Sequence, residues 1–473
     1  MLSNLQTCPE NLVEIIVELL SLDDIRNLRL TCRSLVLKSS GYTFRKFFLN
    51  KHVDLTHDSL LGFARVCETG GIPTTVQNLY LTGSSAEREI QTWQANDANK
   101  ARMGLLVQAF DSLANRKNDS KMKSITIRIA VFCDGIPLLR ATARERRSHH
   151  VRECTKQTFS TVVRALAASN LRVETLNIFN DPDLRPHRPY IEDFYPNPRI
   201  MEVREPDDPD SQQCTLPFDE LNSVNWDDPG LAESLATLTS LSIGICTPDA
   251  RAGPADELAE ENKDLPRINE VFKSSSLKAS TDCGAMSRFL QLCPLLKDFE
   301  LHYFHVRLRT RGATVGDITC EKIMQRLAEL EGLPLLDACR LRGICARGED
   351  VLDFIKRTKV RELSMETIKL SGLKYQSVFD YCTVETAKMT KLYFDNLYEM
   401  ERHEPVNRQR VHFLGEGRRR TEWMPPEIGN EILEREGQSV KRPIVYHMAL
   451  PICIGTPAHA EWRRFHLAEY GFG

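Results

Sequence analysis

Short segments that alternate apolar and polar residues recur along the middle of the chain. Each carries apolar residues at the first, fourth and sixth of six positions, as in Leu238-Thr239-Ser240-Leu241-Ser242-Ile243. A period of two is typical of a β-strand with one buried face. The pattern predicts eight strands, at residues 76–81, 122–127, 173–178, 238–243, 296–301, 336–341, 360–365 and 389–394.

The segments between these strands have apolar residues at helical spacing. Helices are predicted at residues 105–113, 159–168, 286–292, 323–330 and 351–355. One strand with one helix cannot enclose a core, so successive units must stack on one another. The expected fold class is therefore α/β, an irregular leucine-rich-repeat-like solenoid of short parallel strands and helices. Successive predicted strands lie roughly 25 to 65 residues apart, mostly longer than the 20 to 29 residues of regular repeats, which indicates insertions and keeps a doubly wound α/β domain as the alternative.

The first forty residues show a helical pattern of a different kind. Pro9 suits the first turn of a helix, with Thr7 or Cys8 expected at its cap. The apolar residues that follow share one face: Leu12, Ile15, Ile16, Leu19 and Leu20, widened by Val13 and Val17. Ser21 and the two aspartates after Leu22 indicate the start of a second helix. That helix and the residues after it are expected to direct Ile25, Leu28, Leu30 and Leu35 inward. The result is a three-helix unit of about forty residues, too small to bury its apolar surface alone, which we expect to dock on something else.

The stretch from Cys8 to Leu35 resembles an F-box. The positions that match the family's motif are Pro9, Leu12, Ile16, Leu20, Asp24, Leu28, Cys32 and Arg33. The chain departs from the motif at Cys8, Ile25, Thr31 and Leu35. The resemblance implies a three-helix F-box that binds the Skp-type adaptor of a cullin ubiquitin ligase. The adaptor-binding residues that it implies are Pro9, Leu12, Ile16, Leu20, Leu28, Cys32 and Arg33.

A second, weaker resemblance lies near the C-terminal end of the repeats. Residues 341–344, 348–355 and 375–382 are similar to the corresponding part of F-box proteins from filamentous fungi. Together the two resemblances imply a substrate-recognition subunit of a Skp-cullin-F-box ubiquitin ligase, which holds an unknown target protein and is not itself an enzyme. A ligase-independent scaffold whose N-terminal helices cap the solenoid is the alternative, and an enzyme on an α/β domain is the third hypothesis.

The expected division of the chain is an F-box at 1–50, a substrate-recognition region at 51–400 and an irregular C-terminal cap or tail at 401–473. Within the middle region, residues 181–229 are rich in proline and acidic residues, which favours a loop insertion. A second loop is predicted at 249–266.

Composition adds the expected location and excludes several partners. The 473 residues carry a net charge of −3, with 62 basic and 65 acidic residues, so no global field favours nucleic acid or a membrane surface. No apolar run is long enough to span a membrane, and glutamates interrupt the only early apolar stretch. The expectation is a cytoplasmic or nuclear protein, and its 14 scattered cysteines are expected to be reduced.

The sequence offers little reactive chemistry. It contains no nucleophile elbow, phosphate-binding loop, dinucleotide fingerprint or Cys-x-x-Cys pair. His302 and His305 follow a strand whose alternation directs their rings to opposite faces, and Cys32 is expected to be a packed thiol. No catalytic residue, cofactor or metal ion is therefore expected.

Overall fold

A computed structural model describes residues 5–68, 75–85, 96–115, 122–133, 136–139, 141–142, 149–184, 211–246, 283–305, 315–401, 404–418 and 429–449. The chain is a mixed α/β protein with a large, mostly parallel sheet. Its α-helices are α1 (Glu10–Glu18), α2 (Leu22–Thr31), α3 (Arg33–Lys38), α4 (Tyr42–Lys46), α5 (His57–Glu68), α6 (Asn96–Ala114), α7 (His149–Ser169), α8 (Pro229–Leu235), α9 (Ala285–Gln291), α10 (Val315–Glu329), α11 (Gly348–Thr358) and α12 (Tyr375–Thr383).

The strands form one large sheet, a second sheet of five strands and one short pair. In chain order they are β1 (Asn50–Asp54), β2 (Asn78–Ser84), β3 (Met122–Cys133), β4 (Ile136–Leu138), β5 (Ala141–Thr142), β6 (Val173–Ile178), β7 (Ser211–Gln212), β8 (Leu216–Pro217), β9 (Ser240–Cys246), β10 (Asp298–Phe304), β11 (Ala338–Arg342), β12 (Cys345–Arg347), β13 (Glu362–Glu366), β14 (Lys369–Ser371), β15 (Lys391–Asp395), β16 (Tyr398–Glu401), β17 (Glu404–Phe413), β18 (Ile432–Glu436) and β19 (Tyr446–Ala449).

The large sheet, called the main sheet below, places its strands side by side in the order in which the chain makes them. That order is β1, β2, β3, β6, β9, β10, β11, β13, β15 and β18, and every pair except the last is parallel. A doubly wound sheet reverses its strand order at one point. No such reversal occurs along the described strands, so strands that are neighbours in this order of the sheet also follow one another along the chain.

All eight predicted strands are present in the main sheet, and their apolar positions are in register. Two rows of buried side chains cross it from β2 to β15. The first row is Leu79, Ile125, Leu176, Leu241, Phe299, Cys339, Leu363 and Leu392, and the second is Leu81, Ile127, Ile178, Ile243, Leu301, Leu341, Met365 and Phe394. The predicted helices also form, within α6, α7, α9, α10 and α11. These helices contribute to the same continuous apolar core.

A second sheet follows the last units and was not predicted. Residues Gly343, Thr367 and Asn396 come directly after β11, β13 and β15, and each has a positive φ, of 71°, 56° and 57°. This turn leads each chain segment into β12, β14 or β16, which pair in parallel. The three main-sheet strands begin at Ala338, Glu362 and Lys391, 24 and 29 residues apart. The units are therefore shortest and most regular at this end.

The structure corrects two predictions of irregular structure. In the described part of 401–473, β18 pairs with β15 while β17 and β19 extend the second sheet, all in antiparallel fashion. The predicted loop at 181–229 is too wide: β8 pairs with β9, and Phe218, Leu221 and Trp226 are buried. Burial of these apolar side chains favours ordered structure here in spite of the nearby prolines. Residues 185–210 and the predicted loop at 249–266 lie outside the described residues.

None of the described helices is both long enough and apolar enough to cross a membrane.

Candidate protein-docking site

The first helices form a small unit with a core of its own. Val13, Val17, Ile25 and Phe44 are buried in it, and Cys8, Leu20, Leu28 and Phe48 pack against them. This cluster is separate from the core of the main sheet. Sequence reasoning predicted three helices, whereas the structure has four, because the chain turns once more through α4 before it enters β1.

Local capping sets the helix boundaries of this unit. The Ser21 side chain accepts a hydrogen bond from the backbone N–H of Asp24 at 3.2 Å, as the sequence predicted for the start of α2. Pro9 is the N-cap of α1, and the helix proper begins at Glu10. The expectation that Thr7 or Cys8 caps the helix is wrong, since Pro9 stands in extended conformation directly before its first turn.

Three side chains join the short helices to one another. Glu14 on α1 accepts the backbone N–H of Thr43 at 2.6 Å, at the start of α4. The Arg29 guanidinium lies 4.0 Å above the ring centre of Phe44 and donates to Ser40 Oγ at 2.7 Å. Lys38 donates to the carbonyl oxygen of Cys8 at 2.6 Å. These contacts make the unit more ordered than its four-residue core alone would.

The surface of this unit is unusually apolar. Among the described residues, fifteen large hydrophobic side chains are exposed, and seven of them belong to the first 47 residues: Leu5, Leu12, Ile15, Leu19, Leu30, Leu37 and Phe47. Leu19, Leu30 and Leu37 are exposed by 85%, 84% and 75%. Leu12, Ile15 and Leu19 form one stripe on α1, since they are three and four residues apart. Apolar surface concentrated in this way is typical of a site that binds another protein.

The seven predicted adaptor-binding residues all keep some exposed surface. Pro9, Leu12 and Arg33 are exposed, whereas Ile16, Leu20, Leu28 and Cys32 are half-buried. Leu20 and Leu28 pack part of their side chains against the small core. Their role in binding stays a prediction.

One assignment of a side chain to the inside was wrong. Leu30, expected to point inward, is almost fully exposed, while Ile25 and Leu35 are buried as expected. Val13 and Val17, expected to widen the apolar face of α1, are completely buried. The reason is that α4 packs on the valine side of α1 and leaves the Leu12, Ile15 and Leu19 side open. The pattern of apolar residues does not tell which of them stay exposed, so it could not identify the exposure of Leu19, Leu30 and Leu37.

The described residues hold no cluster of three or more histidine, cysteine or acidic side chains that could bind a metal ion. His302 and His305 are both buried, and His305 Nε2 lies 2.6 Å from the carbonyl oxygen of Gly343. The twelve cysteines whose side chains the structure describes are free thiols; Cys8 and Cys32 are half-buried and the other ten are buried.

The face of the main sheet opposite the buried rows is polar and forms a second candidate surface. At its N-terminal end, Asn78 donates to Asn50 at 2.7 Å and Ser124 donates to Asn78 at 2.8 Å, across three adjacent strands. Farther along, Asn180 donates to Ser242 at 2.9 Å and to Glu300 at 3.0 Å. Arg342 bridges Glu300 at 3.5 Å and Glu366 at 3.1 Å. Because the network around Asn180 and Arg342 is buried, it holds the strands in register. Exposed surface on this face is kept at the N-terminal end, by Asn50, Asn78 and Ser124.

No protein-family model matches the chain, and no curated protein is similar enough to match.

Proposed function

We propose that the chain is the substrate-recognition subunit of a Skp-cullin-F-box ubiquitin ligase. Its N-terminal helices bind the Skp-type adaptor, and its repeat region, an irregular leucine-rich-repeat-like solenoid, binds a target protein. The chain makes and breaks no bond in this role. It raises the effective concentration of the target near the ubiquitin-conjugating enzyme that the rest of the complex supplies.

The observation that carries this proposal is the exposed apolar surface of the N-terminal unit. The unit has its own core, and seven large apolar side chains remain outside it. Leaving such side chains in water is costly, at about 25 cal/mol for each Å² of apolar surface. A partner protein that covers them supplies the missing burial, as expected for a unit that resembles an F-box.

The solenoid part of the proposal rests on strand order and repeat length. The parallel strands from β1 to β15 follow chain order, and the two apolar rows stay in register across eight strands. The spacings of 24 and 29 residues in the last units lie within the range of leucine-rich repeats.

The test is co-purification of the full chain with a Skp-type adaptor. The double variant Leu12→Asp/Leu19→Asp places charge on the open stripe of α1, where both side chains are exposed and the core is untouched. We expect a loss of adaptor binding of at least tenfold, since buried anchors at interfaces contribute roughly 1 to 4 kcal/mol each.

The matched control is Leu295→Asp/Leu335→Asp, which changes two exposed leucines in the repeat region. This control should bind the adaptor as the unchanged chain does. An unchanged chain that binds no Skp-type adaptor would overturn the proposal in favour of a scaffold that works without a ligase. Equal binding by both double variants would show that the α1 stripe is not the docking face.

A further inference from the structure

Three planar side chains stack across three adjacent strands on the polar face of the main sheet. The rings of His52 on β1 and Tyr80 on β2 lie 4.5 Å apart between centres and are tilted by only 8°. The guanidinium of Arg128 on β3 lies 4.1 Å above the centre of the Tyr80 ring. Because β2 runs between β1 and β3, His52 and Arg128 cover opposite faces of Tyr80. We call these three side chains the His52 stack.

The inner end of the stack is fixed. Arg128 is buried and forms an ion pair with the carboxylate of Asp181, which is also buried. The carboxylate of Asp183, which is largely exposed, lies 3.9 Å from the same guanidinium. A cation that is stacked on one side and paired on the other has little rotamer freedom, so the stack is preorganised.

The outer end of the stack is open. β1 is the terminal strand of the main sheet, and within the described part of the chain no strand pairs with its outer edge. His52 is exposed although Tyr80 covers one face of its ring, so the accessible part of the ring is directed away from the stack. Asp54 is exposed two residues farther along β1 and therefore on the same face of the sheet, whereas Lys51 is on the opposite face.

We propose that the His52 stack and Asp54 bind an arginine side chain of the target protein. A guanidinium is planar, stacks on rings and pairs with a carboxylate through two parallel hydrogen bonds. The guanidinium would stack on the open face of the His52 ring, as the fourth planar group in the row, and pair with the carboxylate of Asp54. This inference rests on the proposed function, because it assigns part of the surface that holds the target.

The charges around the open end favour a cation over an anion. Asp54 and Asp183 are exposed carboxylates, while the positive charge of Arg128 is already paired with Asp181. Partial desolvation of the ring, and after it the nearby Arg128, lowers the pKa of His52, which favours the neutral imidazole that does not repel a guanidinium. A carboxylate at the same place would face Asp54 without a free cation of the stack to pair with.

The test uses the full chain with isotope-labelled histidine rings and follows the His52 ring signals by NMR. The probe is N-acetyl-arginine amide, and its comparator is N-acetyl-citrulline amide, which has nearly the same shape but no charge. The signal that disappears in His52→Gln identifies His52. We expect a saturable shift with the arginine probe and an apparent Kd at least fivefold weaker with the citrulline probe.

Asp54→Asn should weaken arginine binding at least fivefold, to the level of the citrulline probe. The matched control Asp227→Asn removes an exposed carboxylate elsewhere and should leave the titration unchanged. Equal titrations with both probes, or an arginine titration that Asp54→Asn does not change, would overturn the inference.

The two proposals fail separately. Asp54 lies outside the N-terminal helices, so Asp54→Asn should bind the Skp-type adaptor normally. Loss of the arginine titration with intact adaptor binding rejects only the arginine site. Absence of adaptor binding by the unchanged chain rejects the ligase function, and the NMR titration still reports whether the site binds arginine.

Discussion

The Glu14 carboxylate caps the fourth helix of the N-terminal unit. Glu14 accepts the backbone N–H of Thr43 at the start of α4, where no residue of α4 itself provides a side-chain cap. Gly41 lies so close to the Glu14 carboxylate that a Cβ atom there would collide with it. The small core depends on this contact, because α4 contributes Phe44.

We expect Glu14→Ala to destabilise α4 by about 1 kcal/mol, the usual cost of losing a helix cap. Hydrogen exchange on the full chain should show faster exchange of the amides of residues 43–48. Glu10→Ala, which removes an exposed acidic residue in the first turn of α1, is the control and should leave those amides protected. Unchanged exchange in Glu14→Ala would mean that the contact does not hold α4.

Thiol reactivity should divide the described cysteines in two. Cys8 and Cys32 are half-buried, whereas burial raises the pKa of Cys339 and of Cys382 to about 12 and raises that of Cys293 well above its ordinary value. Because the thiolate is the reactive form, Ellman's reagent should label Cys8 and Cys32 in the folded chain and the buried three only after unfolding. Mass spectrometry of the labelled peptides checks this. Rapid native labelling of Cys339 would contradict the packing described above.

His412 should make stability depend on pH. It is buried on β17, with no hydrogen-bond partner for either ring nitrogen within the described part of the chain. Burial, followed by Arg410 and His447, lowers its pKa to about 4. The unfolded chain, with a histidine pKa near 6.5, then binds a proton more readily than the folded chain does.

The expected result is that the free energy of unfolding is highest above pH 6.5 and falls by up to roughly 3 kcal/mol as the pH drops towards 4. Urea denaturation at a series of pH values measures it. His412→Phe keeps a planar ring without the titrating group and should flatten the dependence in this range. An identical slope in both proteins would assign the effect to other groups.

At the scale of the elements, the two apolar rows of the main sheet carry the fold. A parallel strand that slips by one residue would turn its buried side chains to the polar face, so the register is strongly specified. The left-handed turns after β11, β13 and β15 repeat at the same place in each unit and direct the chain into the second sheet. One of them is Thr367, a β-branched residue in a conformation that such residues rarely adopt.

Truncation within a row should cost far more than truncation outside it. Leu341→Ala removes a completely buried side chain between β10 and β13, and we expect a loss of about 3 kcal/mol in the free energy of unfolding. Leu335→Ala, six residues earlier, changes an exposed leucine and should alter it by less than about 0.5 kcal/mol. Chemical denaturation of both variants makes the comparison. Similar losses would contradict the placement of the two leucines.

At the scale of the whole molecule, the part of the chain that the structure describes has two separate apolar cores. The N-terminal helices bury their apolar residues among themselves, and the repeat region closes its far end with β17, β18 and β19. The N-terminal unit and the main sheet meet at Leu49, whose carbonyl oxygen accepts hydrogen bonds from Gln77 and Asn78 at 2.9 Å.

Deletion of residues 1–46 therefore tests whether the helices stabilise the repeat region. We expect the melting temperature of the repeat region to change by no more than a few degrees, because its core is intact and Leu49 is retained. Differential scanning calorimetry of both chains measures this. A large drop in the melting temperature would favour the scaffold in which the N-terminal helices cap the repeats.

Much of the main sheet was determined by the sequence alone. Each of the eight strands carries the apolar pattern within its own six residues. A pattern with period two specifies a half-buried strand without reference to the neighbouring strands. The helices between the strands and the start of α2 at Ser21 could also be predicted, because their signals lie in adjacent residues: the helical spacing of apolar side chains and the cap at Ser21. The second sheet was not, because four of its five strands have only three or four residues, too few to show a period.

The tertiary structure alone decided which apolar side chains of the N-terminal unit are outside. Val13 and Leu12 are alike in hydrophobicity, and only the packing of α4 against one side of α1 separates the buried valine from the exposed leucine. The His52 stack is of the same kind, since its three members come from strands far apart in sequence. Periodicity reports the surroundings of a residue along its own element, whereas a docking face depends on what other elements leave uncovered.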